Sequence, residues 1–205
     1  FRESRVVEMK DGFRDKELLL PRVLNGQVRV VPGGTSIRPG SFIGKDVVIM
    51  PPSFVNIGAF IDEATMIDSH VLVGSCAQIG KRVHLSTGVK IGGVLEPVGQ
   101  RPVIVEDDCF IGAGSILTEG IVVEEGAVVA SGLSLSASVP IYDTVNEKIL
   151  FGHIPSRAVV VPGSRPYAPN PWTKKEHLGL NCGVIVKYRD QKTSAALILE
   201  EALRS

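Results

Sequence analysis

The chain has 205 residues, and its 22 Lys and Arg balance 22 Asp and Glu. That length suits one domain with a small appendage. The even charge offers no basic field for nucleic acid, no apolar run approaches the ~18 residues of a membrane span, and no signal peptide is visible. Cytoplasm is therefore the expected compartment. Cys76, Cys109 and Cys182 make no C-x-x-C pair and read as small buried thiols. The four histidines, 70, 84, 153 and 177, show no paired ligand spacing, so no metal is expected.

In chain order, residues 1–28 carry no periodicity and read as a lead-in, the end of a helical domain lying upstream. From Thr35 the chain counts in sixes: TSIRPG, SFIGKD, VVIMPP and so on to VKIGGV. The eight residues LEPVGQRP (95–102) break the count, which resumes at VIVEDD and runs to VPIYDT. All seventeen third places, from Ile37 to Ile141, are aliphatic. Helices repeat near 3.6 residues and strands near 2, so a period of six predicts a short strand plus a corner. Three such blocks close one coil of a triangular prism, and coils stack at roughly 4.8 Å. One coil cannot bury its own inner face, so stability comes from stacking.

These blocks define an all-β domain over 29–144. The insertion at 95–102 must project from a corner, a place where binding sites concentrate. Residues 145–205 are expected to hold an irregular Pro-rich loop (145–179), a strand over NCGVIVKYR (181–189), and a capped amphipathic helix over TSAALILEEALRS (193–205). Fourth places of the blocks point outward, and Asp68 holds one of them in an otherwise apolar stretch, which suits a general base or an amine anchor. His70 and His84 are further candidates for proton transfer.

Longer strings carry a family resemblance. GSFIGKDVVIMPPSFVNIGAFIDEATMIDSHVLVGSCAQIGKRVHLSTGVKIGGVLEP, then VIVEDDCFIGAGSILTEGIVVEEG, with VRVVP before and NCGVIVK after, resemble the tetrahydrodipicolinate N-succinyltransferases of lysine and diaminopimelate synthesis. The resemblance implies a left-handed parallel β-helix and a homotrimer whose sites lie in grooves between subunits. Its acyl-CoA co-substrate would be succinyl-CoA in the first instance and acetyl-CoA in the second.

By the same resemblance Arg29 binds a substrate carboxylate, where a guanidinium fork fits a dicarboxylate, and Asp68 faces the substrate amine. Glycines at the repeat turns (Gly93, Gly112, Gly132) would admit the pantetheine arm, or serve simply as tight corners. Arg165 and Lys187 would meet CoA phosphates. The reaction is then direct acyl transfer from thioester to amine, with backbone N–H groups of the turns stabilising the oxyanion.

The sequence also departs from the family. GAGSI stands where G-A-R-S-E is usual, so an Arg gives way to Gly114 and an acid to Ile116. Asp68-Ser69-His70 replaces D-T-W, and NPWTKKEHLG (170–179) extends the C-terminal loop. These departures leave two further readings open. One is an N-acetyl- or other acyltransferase paralogue of specialised metabolism, like the tabtoxin-biosynthesis acyltransferase. The other is a trimeric scaffold without activity.

Overall fold

The computed structural model describes residues 28–94 and 101–190. Residues 1–27, the loop stretch 95–100 and the expected C-terminal helix at 193–205 lie outside them.

Each hexad forms a two-residue strand and a corner, and strands three hexads apart pair in parallel, as Met66–Ile67 does with His84–Leu85. Three sheets result, the faces of a prism. Sheet I contains Arg29–Val30, Val48–Ile49, Met66–Ile67, His84–Leu85, Phe110–Ile111 and Val128–Val129. Sheet II runs from Ser36–Ile37 through Leu72–Val73, Lys90–Ile91 and Ile116–Leu117 to Ser134–Leu135, and sheet III from Phe42–Ile43 through Gln78–Ile79 to His153–Ile154.

The third places fill the interior. From Ile49 to Ile141 each is at most 1% exposed, and only Ile43, in the terminal coil, stays partly open. First places point inward too, which the reading in third places misses. Val47, Ala59, Ala77, Val83, Cys109 and Ser115 occupy the corners of the core. Most are small, although Ile121 and Leu133 also fill first places, and a hydroxyl fits if it finds a carbonyl: Ser115 Oγ donates to Ala130 O at 3.0 Å, and Thr65 Oγ1 to Gly80 O at 2.8 Å. Burial pushes the Cys109 thiol up to about 12, so it is an inert core group.

The sixth place of most corners has positive φ. Glycine takes it without strain at 58, 88, 114, 120, 126 and 132, while Asp46, Ala64, His70, Cys76, Arg82 and Asp108 adopt it with a side chain.

The C-terminal part differs from the expected irregular loop. VPIYDT does not supply the next strand of sheet III; Ile141–Asp143 instead pairs antiparallel with Lys148–Leu150 and parallel with Gly179–Tyr188. Sheet III is continued by His153–Ile154 and sheet I by the start of Ala158–Pro166. The prism therefore continues past residue 144, interrupted by a hairpin. The physical reason lies in the sequence: GHIPSR and AVVVPG are two more hexads with Ile154 and Val160 at third place, both fully buried. Asp143 anchors the inserted hairpin. It accepts from Tyr188 Oη at 2.6 Å and Asn146 Nδ2 at 2.8 Å, and these bonds hold its carboxyl below the usual range although burial opposes them. The expected strand at 181–189 is the core of Gly179–Tyr188, which forms a long antiparallel hairpin with Ala158–Pro166.

Candidate active site

The three edges of the prism differ in chemistry. The III–I edge is a ladder of charges: Lys81 Nζ meets Glu63 at 2.9 Å and Arg82 grips Asp108 at 2.7 Å through both Nε and an Nη. Exposed pairs like these add little stability each, and they satisfy one another. The II–III edge carries Gly93, Glu119 and the root of the 95–102 insertion, where Arg101 Nε donates to Gly120 O at 2.9 Å.

The I–II edge carries Asp68. Its successive rungs are Met50-Pro51-Pro52, Asp68-Ser69-His70, Ser86-Thr87-Gly88, Gly112-Ala113-Gly114 and Ala130-Ser131-Gly132. A backbone ladder ties them: His70 N–H to Pro52 O (2.7 Å), Gly88 to Ser69 O (2.9 Å), Gly114 to Thr87 O (2.9 Å) and Gly132 to Ala113 O (2.8 Å). Above Asp68 the side chains shrink, so the edge becomes a shallow track three rungs long, about 14 Å at the strand spacing.

Asp68 is half-buried. Its Oδ1 accepts the Ser69 N–H at 2.7 Å and its backbone N–H is tied to Leu85 O at 2.9 Å, which leaves Oδ2 without a hydrogen bond in the described structure. One coil along sheet I, the His84 ring lies edge-on to Phe110 at 5.2 Å, with Nε2 shielded from solvent and unpartnered. Burial pulls the His84 pKa down, and the nearby Asp68 charge only partly restores it. Arg29 is exposed on the same sheet, two strands from Met66. That is roughly 10 Å at the strand spacing.

The amides of the fifth places are a feature that the sequence did not disclose. At some corners of the other edges a carboxylate or amide oxygen accepts these N–H groups: Asp62 accepts from Glu63, Asn56 from Ile57, and Glu106 from Glu125, whereas those of Lys45, Ser75, Asp107 and Glu119 have no acceptor in the described structure. On the I–II edge only Ser69 is so capped. The N–H groups of Thr87, Ala113 and Ser131 have no acceptor in the described structure, because Ser86, Gly112 and Ala130 carry no acid at the fourth place. The amides of His70, Gly88, Gly114 and Gly132 are already committed to the ladder.

The remaining expected residues fall as follows. Gly112 and Gly132 lie on the I–II edge and Gly93 does not. A Cβ on Gly112 would sit 2.5 Å from Ser131 N, and one on Gly93 2.4 Å from Ser75 Oγ, so coil stacking alone accounts for both. Gly132, with φ of 74° and nothing within 4 Å, is an open turn. Arg165 stands on the 158–188 hairpin, which overhangs sheet II where Asn181 Nδ2 donates to Ser134 O at 2.5 Å. Lys187 pairs in register with Val159, back on sheet I and away from that overhang.

The departures from the family pattern also find their places. Gly114 is on the I–II edge, and Ile116 stands on the outer face of sheet II beside Lys90. Lys90 Nζ reaches Gly88 O at 3.3 Å, so a cation missed in the sequence borders the track. Its column of neighbours, Leu72 and Ile116, is read from strand register, which no local motif reveals. Among the described residues no cluster of His, Cys, Asp and Glu has the makings of a metal site, and no helix is long and apolar enough to cross a membrane.

A three-sided prism built on hexads with an acid, amides and small residues along one edge is a hexapeptide-repeat protein, a left-handed parallel β-helix. Residues 102–137 match the family model "Hexapeptide repeat of succinyl-transferase". The chain is 51% identical over 178 residues to the 2,3,4,5-tetrahydropyridine-2,6-dicarboxylate N-succinyltransferase of Bradyrhizobium diazoefficiens, covering 86% of this chain and 62% of that protein. The enzyme of the same name from Idiomarina loihiensis is 52% identical, with 87% and 62% covered. Among solved structures, a putative 2,3,4,5-tetrahydropyridine-2-carboxylate N-succinyltransferase from Campylobacter jejuni aligns at TM-score 0.47 and 18% identity, covering 78% of this chain and 42% of that one. The chain is a relative of these N-succinyltransferases and spans about 62% of the length of the first two.

Proposed function

We propose that the chain is the β-helix part of a CoA-dependent N-acyltransferase that moves a succinyl group onto the amine of a tetrahydrodipicolinate-type amino-dicarboxylate. The observation that carries this reading is the I–II edge, where Asp68 stands at the foot of a track of uncapped amides, in a chain about half identical to named N-succinyltransferases.

Asp68 Oδ2 takes the proton of the acceptor amine, and the fixed Oδ1–Ser69 bond keeps the carboxylate aimed. Arg29 holds a carboxylate of the acceptor. The freed amine attacks the thioester carbonyl, and an uncapped amide above Asp68, that of Thr87, is placed to receive the oxyanion. The tetrahedral adduct collapses with loss of CoA thiolate, which leaves as the thiol. Ala113 and Ser131 N–H groups give the amide oxygens of the pantetheine arm two acceptor-binding points, with Gly112 and Gly132 keeping the track open. Lys90 supplies a cation for the far carboxylate of a succinyl group. In this reading the enzyme is cytoplasmic and works as a homotrimer, with a neighbouring subunit closing the groove.

The test is CoA-thiol release with L-2-aminopimelate as acceptor, succinyl-CoA and acetyl-CoA offered in parallel, and Asp68→Asn as control. Turnover with succinyl-CoA that Asp68→Asn abolishes supports the proposal. Preference for acetyl-CoA moves the chain to the specialised-paralogue reading, and silence with both donors leaves a different acceptor or the scaffold.

A further inference from the structure

The outward places of the prism are not all open. Each hexad strand from Ser36–Ile37 to Ser134–Leu135 directs its second residue away from the core. Among the described residues these second places are half-buried or exposed, as at Val48, Met66 and Val122, with one exception: Val128 is 0% exposed. Val159, which continues its column on the next strand of sheet I, is 0% exposed as well.

The two valines form an apolar cluster separate from the core, with Phe110 and Val186 packed against them. Strand register puts His84, Phe110, Val128 and Val159 in one outward column of sheet I. At the far end of that column the His84 Nε2 is also shielded from solvent and unpartnered. Neighbours within a sheet cover the flanks of a side chain and leave its tip open. Full burial of Val128 and Val159 therefore requires a layer laid over the sheet, and the unpartnered imidazole nitrogen marks that layer as apolar. Strands Gly179–Tyr188 and Ile141–Asp143 extend the same sheet and do not lie above it. The helix Pro171–Lys175 sits at the other end of the 158–188 hairpin from Val159.

The described residues stop at the rim of this patch. Arg189 N–H donates to Arg157 O and Arg189 Nη1 to Gly126 O, both at 2.8 Å. Arg157 and Gly126 each stand two residues before one of the buried valines. Beyond Asp190 the sequence sets Ala195, Ile198, Leu199 and Ala202 at i, i+3, i+4 and i+7, with Glu200, Glu201 and Arg204 off that stripe. A helix over 193–205 measures about 20 Å, and the column from Val159 to His84 covers three strand spacings, about 14 Å. The other terminus fits worse. Arg29 pairs with Val48 at the opposite end of sheet I, and a segment arriving there meets Val48 and Met66 first, both of which stay partly exposed.

We propose that residues 193–205 dock as an amphipathic helix on the outer face of sheet I of their own chain, with Ile198 and Leu199 over Val128 and Val159. The same helix walls off His84, one coil from Asp68. This inference is independent of the acyl-transfer reading.

The test uses the full chain in a Cys76→Ser background, since Cys109 and Cys182 are buried. Val159→Cys, and Val122→Cys on the outer face of sheet III as reference, are labelled with a maleimide and followed by intact mass. The expected result is that Ile198→Asp with Leu199→Asp speeds labelling at Val159→Cys at least tenfold and leaves Val122→Cys unchanged. In parallel, Val159→Cys is combined with Ile198→Cys or Leu199→Cys and oxidised. At least one pair should form a disulfide that migrates as a single chain on a denaturing gel.

An unchanged labelling rate at Val159→Cys in the Asp variant overturns the tail as the covering layer and leaves the lead-in or a second copy. A disulfide joining two chains overturns docking on the same chain. Absence of a disulfide in both pairs overturns the seating over Val159. Should the Asp variant fail to fold by circular dichroism, the disulfide pairs decide alone.

Discussion

Gly112 and Gly132 lie one rung apart on the same edge, yet they are glycines for different reasons, and substitution separates the two. Gly112 is buried, and a Cβ there meets main chain on three sides: Ser131 N at 2.5 Å, Ala130 C at 2.7 Å and Val129 O at 2.7 Å. Backbone cannot rotate away as a side chain can. The next coil must move by about half an ångström or more, against the Gly112 N–H to Val129 O bond of 2.8 Å. Overpacking of this kind costs about 1–3 kcal/mol, and the strain is shared by two stacked coils, which places Gly112→Ala at the upper end. At about 2–4 °C per kcal/mol for a chain of this size, the melting temperature falls by roughly 5–10 °C.

Gly132 has open space around it, and a side chain there meets only the strain of its φ of 74°. Gly132→Ala then costs about 1–2 kcal/mol. Asparagine decides the matter, because it tolerates the left-handed region and still carries a Cβ. Gly132→Asn should recover most of the loss, whereas Gly112→Asn should be at least as damaging as Gly112→Ala. The assay is thermal unfolding of the four variants by circular dichroism, followed by KM for acyl-CoA in those that fold. If Gly112→Ala melts with the wild type and instead raises KM, the coil-stacking argument is wrong and that glycine serves the ligand.

Asp68→Asn should lower thiol release by about 10²–10⁴-fold, the range for loss of a general base, with the melting temperature unchanged because Oδ1 can still accept from Ser69. A melting temperature that drops with activity would mark Asp68 as structural. Lys90→Gln should lower kcat/KM for succinyl-CoA and leave acetyl-CoA untouched; an equal loss with both donors would refute the carboxylate role. His84 is held neutral by burial, so its folded pKa lies below the unfolded value of about 6.5. The unfolded chain then binds more protons in that window, and stability falls as pH drops through it. His84→Gln should flatten the fall in melting temperature between about pH 6.5 and 5, and parallel curves for the two proteins would show that His84 is not buried as described.

The interior of the prism was legible because its constraint is periodic. One buried aliphatic per six residues is a rule every coil must obey, and third places such as Leu85 and Leu117, both at 0% exposure, announce it locally. The first-place corners obey a weaker rule, taking Ser, Thr, Ala, Val and Cys as well as the larger Ile121 and Leu133, so no single residue signals it. The C-terminal part misled for the opposite reason. An insertion between Ile141 and Leu150 hides the phase of GHIPSR and AVVVPG, and proline at Pro155 and Pro162 resembles loop chemistry although both stand at corners or on an overhanging strand. Asp68 was visible as an acid in apolar company. Lys90 and the uncapped amides depend on what is stacked from elsewhere in the chain, which no local string contains.

Open amides occur on all three edges, and what sets the I–II edge apart is that they run on from Asp68 along small residues. A hexad corner offers its fifth-place N–H to the outside, and the fold gives it no partner. At Glu63 and Ile57 an acid or amide one residue earlier accepts it, and at Glu125 a carboxylate from the coil below does. Such corners have no donor left over. On the I–II edge Ser86, Gly112 and Ala130 withhold that acceptor, and a row of directed donors stays available at the spacing of the coils. Any ligand that lies along the edge with carbonyl oxygens repeating on that scale is favoured over one lying across it. On the acyl-transfer reading, a donor running from Asp68 towards the overhanging hairpin would meet the amides that the sequence leaves uncapped there. Placing an acid at the fourth place, as in Ala130→Asp, should cap Ser131 and weaken CoA binding without touching Asp68; unchanged CoA affinity in that variant would show that the open amides do not guide the donor.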